Sequence, residues 1–203
     1  MELTAAEPRR RGLVQLYLDG EPGPKIDQEV FLLSRLKPGD WLEEEGLREL
    51  VERSDARRAR EKALYLLEHR SHSKRELTEK IARTAASRQA AQAAADHLEE
   101  LGLLDDQAYA ESYAKELFLR KRYGARRVRQ ELARKGIDRE IIDQVLALYE
   151  DQDPGEAISL VLERRYPQWR QDERVRRRAV AALQRLGYSY EQIRSALGGL
   201  EEE

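Results

Sequence analysis

Apolar residues recur at helical spacing through most of the chain, punctuated by polar cap residues. Ala59, Ala63, Leu66 and Leu67 share one face of a first helix. Ser73 to Glu76 is a capping-box pattern that opens a second, with Leu77 and Ile81 facing inward. Ser87 caps a third, whose apolar face is Ala94, Leu98 and Leu101 and which Gly102 stops. Asp105-Asp106 starts a fourth, with Tyr109, Tyr113 and Leu117 as its stripe. A Tyr123-Gly124 break follows, then a fifth helix marked by Ala125, Val128 and Leu132. Asp138 caps a sixth, which carries Ile141, Ile142, Val145, Leu146 and Tyr149. Asp153, with Pro154 at the first helical position, starts a seventh (Ala157, Ile158, Val161, Leu162), ended by Pro167. The eighth holds Val175, Ala179, Leu183 and Leu186 before Gly187. Ser189 caps the ninth, with Ile193 and Leu197, and Gly198-Gly199 stops it.

Residues 1–54 break this pattern. Residues 1–11 read as a loose tail. Leu13–Leu18 is a β-prone run ending at the turn signal Asp19-Gly20. A second strand follows Pro22-Gly23-Pro24, around Ile26 to Val30, and residues 31–36 form one helical turn stopped by Pro38-Gly39. Asp40 then caps a helix over residues 41–53, with Glu43, Glu44 and Glu45 in its first turns. A small β-hairpin-plus-helix module is expected here.

The nine helices fall into three groups of three, over residues 55–104, 105–152 and 153–203. Their second and third helices align at an offset of 51 residues. Val128, Leu132, Arg134, Gly136, Ile137 and Asp138 land on Ala179, Leu183, Arg185, Gly187, Tyr188 and Ser189. One step back gives Leu77, Ile81, Arg83, Ala85, Ala86 and Ser87. The expected fold class is mainly α. Three tandem three-helix repeats form an elongated, curved array, each covering its neighbour's apolar face, preceded by the N-terminal module. A single compact bundle with coincident caps is the alternative.

Charged residues make up 37 % of the 203 residues and aromatics 6 %, which suits long exposed helices. There is no cysteine, so disulfides and Cys-based metal sites are excluded, in keeping with a reducing, cytoplasmic setting. Nothing approaches the roughly 18 consecutive apolar residues of a membrane span. The net charge of −2 hides two basic blocks. Residues 120–139 carry nine Lys/Arg against two acids, and residues 164–185 carry eight Arg against two.

Arg127 and Arg134 lie opposite the apolar face of the fifth helix, with Arg126 on the flank. In the eighth, Arg174, Arg178 and Arg185 line one flank and Arg177 points outward. The same offset maps Arg126, Arg127 and Arg134 onto Arg177, Arg178 and Arg185, whereas the first group offers only Arg75, Glu76 and Arg83. A solvated face is the ordinary fate of such runs. The scarcity of acids for i, i+4 pairing, and the self-repulsion of neighbouring arginines, point instead to an anionic partner, either phosphate backbone or an acidic protein surface. The candidate contact residues are Arg120, Lys121, Arg122, Tyr123, Arg126, Arg127, Arg129 and Arg134, then Arg174, Arg177, Arg178 and Arg185. Tyr123 is the candidate exposed aromatic. No helix carries a base-reading set, so such contacts would position a nucleic acid without reading its sequence.

His69, His72 and His97 lack metal-ligand spacing, and no Gly-rich phosphate loop or nucleophile elbow is present. A helix start accounts for Asp105-Asp106. No catalytic residue, metal or cofactor is expected.

The stretches GLLDDQAYAESY and RYGARRVRQELARKGID resemble the RecX family of regulators of the RecA recombinase. The Ser73-Lys74-Arg75-Glu76-Leu77 entry and the Gly187-Tyr188-Ser189-Tyr190-Glu191-Gln192-Ile193 ending resemble that family's first and last repeats, so the similarity spans about residues 60–198. The resemblance implies tandem three-helix repeats and a non-enzymatic regulator. Such proteins lodge in the helical groove of the RecA–single-stranded-DNA filament and damp its ATP hydrolysis, strand exchange and co-protease activity. The implied partners are the RecA filament and single-stranded DNA, met directly or through RecA by a cytoplasmic monomer. Two departures stand out. Ala85-Ala86-Ser87 replaces the Gly-apolar-Asp turn of the second repeat, and the first 54 residues look like an extension found in only some members. A RecA-independent, sequence-nonspecific DNA-binding protein and a scaffold for an acidic protein are the alternatives.

Overall fold

The structure is a computed structural model that describes residues 1–85 and 87–199. Ala86, in the departing turn of the first repeat, and residues 200–203, the end of the expected third repeat, lie outside the described residues. The chain forms two compact units, Met1–Leu104 and Asp105–Glu203.

The first unit opens with an antiparallel sheet of β1 (Leu3–Arg9), β2 (Leu13–Leu18) and β3 (Glu21–Asp27), with β2 in the centre. The expected loose tail is therefore an edge strand. Its sequence, LTAAEPR, has little β propensity; the ladder to β2, with Ala6 opposite Leu16 and Pro8 opposite Val14, holds it extended. Pro22 and Pro24 lie within β3 rather than ahead of it, which the other sheet edge tolerates. Alternation sends Val14, Leu16 and Leu18 into a core shared with Leu3, Ile26, Val30, Leu42 and Leu50.

The carboxylate of Asp27 accepts the Glu29 and Val30 amides and so starts α1 (Gln28–Ser34). The next helix, α2 (Glu44–His69), begins three residues later than expected. Asp40 accepts the Lys37 amide at 2.8 Å instead of capping it, and Trp41 is exposed, bridged to Glu2. This helix also runs unbroken through the expected boundary between residues 54 and 55. Ser54 is no cap there. Its buried hydroxyl accepts the Asp27 amide at 2.8 Å. Arg57, next on that side of the helix, sits 3.0 Å from the Asp27 carboxylate and 2.8 Å from Glu61, and also pairs with Glu29. One helix thus serves two cores, giving Leu50 to the sheet and Ala59 and Ala63 to the next group. That group is completed by α3 (Lys74–Ala82) and α4 (Arg88–Glu100), capped by Ser73 and Ser87. Lys74 spans them, 2.7 Å from Asp96 and 2.6 Å from Glu99, and these bonds push its ammonium up to about 12.

The second unit holds two more three-helix groups, each with its own core. Asp105 caps α5 (Asp106–Lys115), accepting the Ala108 amide at 2.9 Å. A π-helical turn follows at Glu116–Arg120, then α6 (Ala125–Arg134) and α7 (Arg139–Ala147). The buried stripe of α5 runs through Ala110, Ala114 and Leu117, so Tyr109 and Tyr113 flank it rather than form it. Val128 and Leu132 are buried as expected, but Ala125, at the first position of α6, is exposed. The last group is α8 (Gly155–Arg165), α9 (Glu173–Arg185) and α10 (Tyr190–Gly199), around Ile158, Leu162, Trp169, Ala179, Leu183, Tyr188 and Ile193. Ser189 and Gln192 form a reciprocal capping box at 3.1 and 2.9 Å. Gly198 and Gly199, expected as a stop, are the last residues of α10.

The offset of 51 residues holds in three dimensions. Leu77, Val128 and Ala179 are all buried, as are Ile81, Leu132 and Leu183. Gly136 and Gly187 both have positive φ, 82° and 97°. The Gly187 turn is pressed against the start of α6. A Cβ on Gly124 would lie 2.5 Å from the Gly187 carbonyl oxygen, and one on Gly187 would meet the backbone nitrogen of Arg127. The Gly124 amide donates to the Leu186 carbonyl at 2.8 Å, and the Tyr188 hydroxyl donates to the Arg122 carbonyl at 3.0 Å.

Two stability predictions follow from these contacts. Gly187→Ala places a side chain both in left-handed backbone and against Arg127. It is expected to cost about 2 kcal/mol or more, read as a lower urea midpoint by circular dichroism. Ser54→Ala leaves the buried Asp27 amide without its acceptor and is expected to cost about 1–3 kcal/mol by the same measurement. An unchanged midpoint in either variant would contradict the corresponding contact.

Candidate nucleic-acid interface

The amphipathic α6 carries four of the candidate arginines away from Val128 and Leu132. Three of them are not free. Glu131 is only 5 % exposed, and its carboxylate pairs with Arg127 at 2.8 Å through one oxygen and with Arg134 through the other. Acids are few in this helix, as the sequence indicates, but one acid is enough. Glu131 stands four residues after Arg127 and three before Arg134, so it reaches both. Arg127 also lies over the Tyr123 ring, 5.7 Å from its centroid. Arg129 reaches Asp143 of α7 at 2.5 Å. Arg126 is exposed and, among the described residues, has no ion pair.

In α9 the pattern repeats with a different outcome. Asp172 caps the helix by accepting the Arg174 amide at 2.7 Å. Arg177 pairs with Glu173 at 3.1 Å on the surface and lines a groove with Tyr190 and Arg194. Arg174, Arg178 and Arg185 are exposed, with no carboxylate partner among the described residues. The offset puts Ala182 where α6 has Glu131, so α9 has no buried acid to gather its arginines.

Between the π-helical turn and α6, Arg120 and Lys121 are exposed and Arg122 is half-buried in left-handed backbone, with φ 56°. The reversal at Arg122 turns Tyr123 back onto the core of Val128 and Leu132. Tyr123 is therefore a half-buried packing residue, not the exposed aromatic expected from the sequence. The Tyr188 hydroxyl that holds the Arg122 carbonyl is itself pushed up to about 12 by burial, with the Arg122 charge pulling the other way, so it stays a donor at neutral pH.

Arg164 and Arg165, at the end of α8, join Arg120, Lys121 and Arg122 around a cleft of about 340 Å³. Sequence reasoning placed them in the basic block but not among the contact residues. They lie in the first helix of their group, where the offset of 51 does not run, so no matched pair drew attention to them.

The model of the second three-helix domain of RecX matches residues 105–146, and that of the third matches residues 151–197. Regulatory protein RecX of Geobacillus kaustophilus (strain HTA426) is 30 % identical over 197 residues, covering 94 % of this chain and 73 % of that protein. Regulatory protein RecX of Chlorobium phaeobacteroides (strain BS1) is 30 % identical over 145 residues, covering 71 % and 94 %. Among solved structures, one of regulatory protein RecX superposes with a TM-score of 0.67 at 22 % identity, covering 96 % of this chain and 98 % of that one. RecX from Lactobacillus salivarius gives a TM-score of 0.65 at 23 % identity, covering 73 % and 98 %. Matched by that family's own domains in its second and third groups, and aligned to its members over nearly its full length, the chain belongs to the RecX family.

Proposed function

We propose that this chain is a non-catalytic regulator of RecA. It binds the RecA–single-stranded-DNA filament in its helical groove as a monomer in the cytoplasm, and it lowers RecA ATPase, strand-exchange and co-protease activity. Family membership supports the regulatory role. The observation that carries the contact surface is the exposed set Arg174, Arg178 and Arg185 on α9, which has no carboxylate partner among the described residues. Neighbouring like charges that no acid pairs with disfavour the folded state unless an anion neutralises them. On α6, Glu131 holds Arg127 and Arg134 and offsets one of their two charges, so the face that meets phosphate or acidic protein is weighted toward α9, with Arg126 beside it.

This weighting decides which variant is informative. Reversing Arg127 and Arg134 strips a buried carboxylate of both partners, at about 1–3 kcal/mol or more, and confuses folding with binding. Arg174→Glu with Arg178→Glu removes no described ion pair. In a RecA–ATP–single-stranded-DNA ATPase assay the wild-type chain is expected to inhibit. The double variant should need about tenfold more protein, with unchanged circular dichroism and a salt dependence shallower by about two counterions. Full inhibition by the double variant would sink the α9 surface. Tight DNA binding in a parallel titration without RecA, together with no effect on the ATPase, would favour a RecA-independent DNA-binding protein instead.

A further inference from the structure

The cleft between the π-helical turn and α8 holds a concentration of charge apart from the α9 surface. Its lining comprises Arg120, Lys121, Arg122, Arg164 and Arg165, over a floor of Leu119, Leu160 and Val161. It contains no carboxylate, amide or aromatic side chain. None of the five cations has a carboxylate partner among the described residues. A helix end draws cations to its last turn, which accounts for Arg164 and Arg165 singly. It does not account for three more cations facing them from another element.

Nor is the opposite wall an accident of a flexible loop. Arg122 is a non-glycine residue at φ 56°, an uncommon conformation, and the buried Tyr188 hydroxyl ties down its carbonyl at 3.0 Å. The backbone is thus fixed in the form that brings Arg120, Lys121 and Arg122 to one rim. Four of the five cations are exposed, so water and salt screen their mutual repulsion, and it is felt most at low ionic strength.

We propose that this cleft binds a compact oligophosphate anion, the linked phosphates of inorganic triphosphate or of a nucleoside triphosphate. A nucleic-acid strand carries one charge per nucleotide, spread along its length, so a cleft of about 340 Å³ admits too little of it to balance five cations. Linked phosphates bring about two charges on a terminal group and about one on each bridging group into the same space. Arginine forks and a lysine point charge suit that cargo. The lining offers nothing to read a base or sugar, so recognition stops at the phosphates. This site does not depend on the filament being the partner, because it concerns a small anion and the free chain.

The test is calorimetric titration of the full chain with sodium triphosphate at about 0.15 M salt. ATP and a single-stranded oligonucleotide are titrated in parallel. Saturable binding at one site is expected, with ATP within about threefold of triphosphate, since both present the same linked phosphates. Arg164→Ala with Arg165→Ala should weaken it by about tenfold or more, through lost charge-assisted bonds, with unchanged circular dichroism. Arg48→Ala with Arg88→Ala, which removes the same charge from the first unit, should bind like wild type. The proposal is overturned if no saturable heat appears, or if the two double variants behave alike. It is equally overturned if the oligonucleotide displaces triphosphate at lower concentration than ATP does, which would make the cleft a nucleic-acid site.

Discussion

The second unit depends on a contact between two glycines. Gly187 takes the turn after α9 through left-handed backbone and sets its carbonyl against Gly124, at the start of α6. Neither position has room for a β-carbon. The period of the chain supplies the turn, since Gly136 and Gly187 are equivalent and share the positive φ. Gly124 lets the third group's turn close on the second group's backbone. Once it closes, the Gly124 amide finds the Leu186 carbonyl and the Tyr188 hydroxyl finds the Arg122 carbonyl. Those bonds satisfy polar groups that burial would otherwise leave costly. They also set the path of residues 120–123, so a packing contact in one repeat fixes the charged surface of another.

The two basic helices show how one substitution within a repeat redistributes charge. Their buried faces are equivalent, Val128 and Leu132 matching Ala179 and Leu183. Their polar faces carry matched arginines. Yet Glu131 in one and Ala182 in the other give opposite results. The glutamate draws two arginines down onto the helix and offsets half their charge locally. The alanine leaves the corresponding arginines to solvent. Matched arginines are therefore a poor guide to surface potential, which is set by where the acids sit relative to each cation.

Much of the helical part was legible because caps and apolar spacing are local signals. Ser73, Ser87, Asp105 and Ser189 cap where the sequence places them, through hydrogen bonds to amides three residues on. The pairing of Glu131 was legible as well. It needed only the spacing to Arg127 and Arg134 rather than a count of acids. The misreadings have long-range causes. Nothing in residues 3–9 favours a strand until β2 offers its edge. The helix expected to end at residue 53 runs on past Ser54, whose hydroxyl accepts the Asp27 amide, far back in the sequence. Tyr123 beside Arg122 and Gly124 has the look of an exposed bend. The π-helical turn and the left-handed Arg122, which no propensity anticipates, rotate it onto the core. Arg164 and Arg165 gain meaning only when folding brings α8 opposite Arg120.

A regulator that acts by occupying a surface needs its charges in place before its partner arrives, because ordering long side chains on binding costs entropy. The second unit meets this need through backbone rather than through ion pairs. Ion pairs would hold arginines still but would also offset part of their charge, as Glu131 does for Arg127 and Arg134. A glycine contact and a tyrosine hydroxyl instead fix the main chain beneath Arg120, Lys121 and Arg122 and leave their charge unspent. The strain at Arg122 is then the condition for a preorganised cationic surface. The stability of the Gly124–Gly187 joint sets how far that surface can hold its shape.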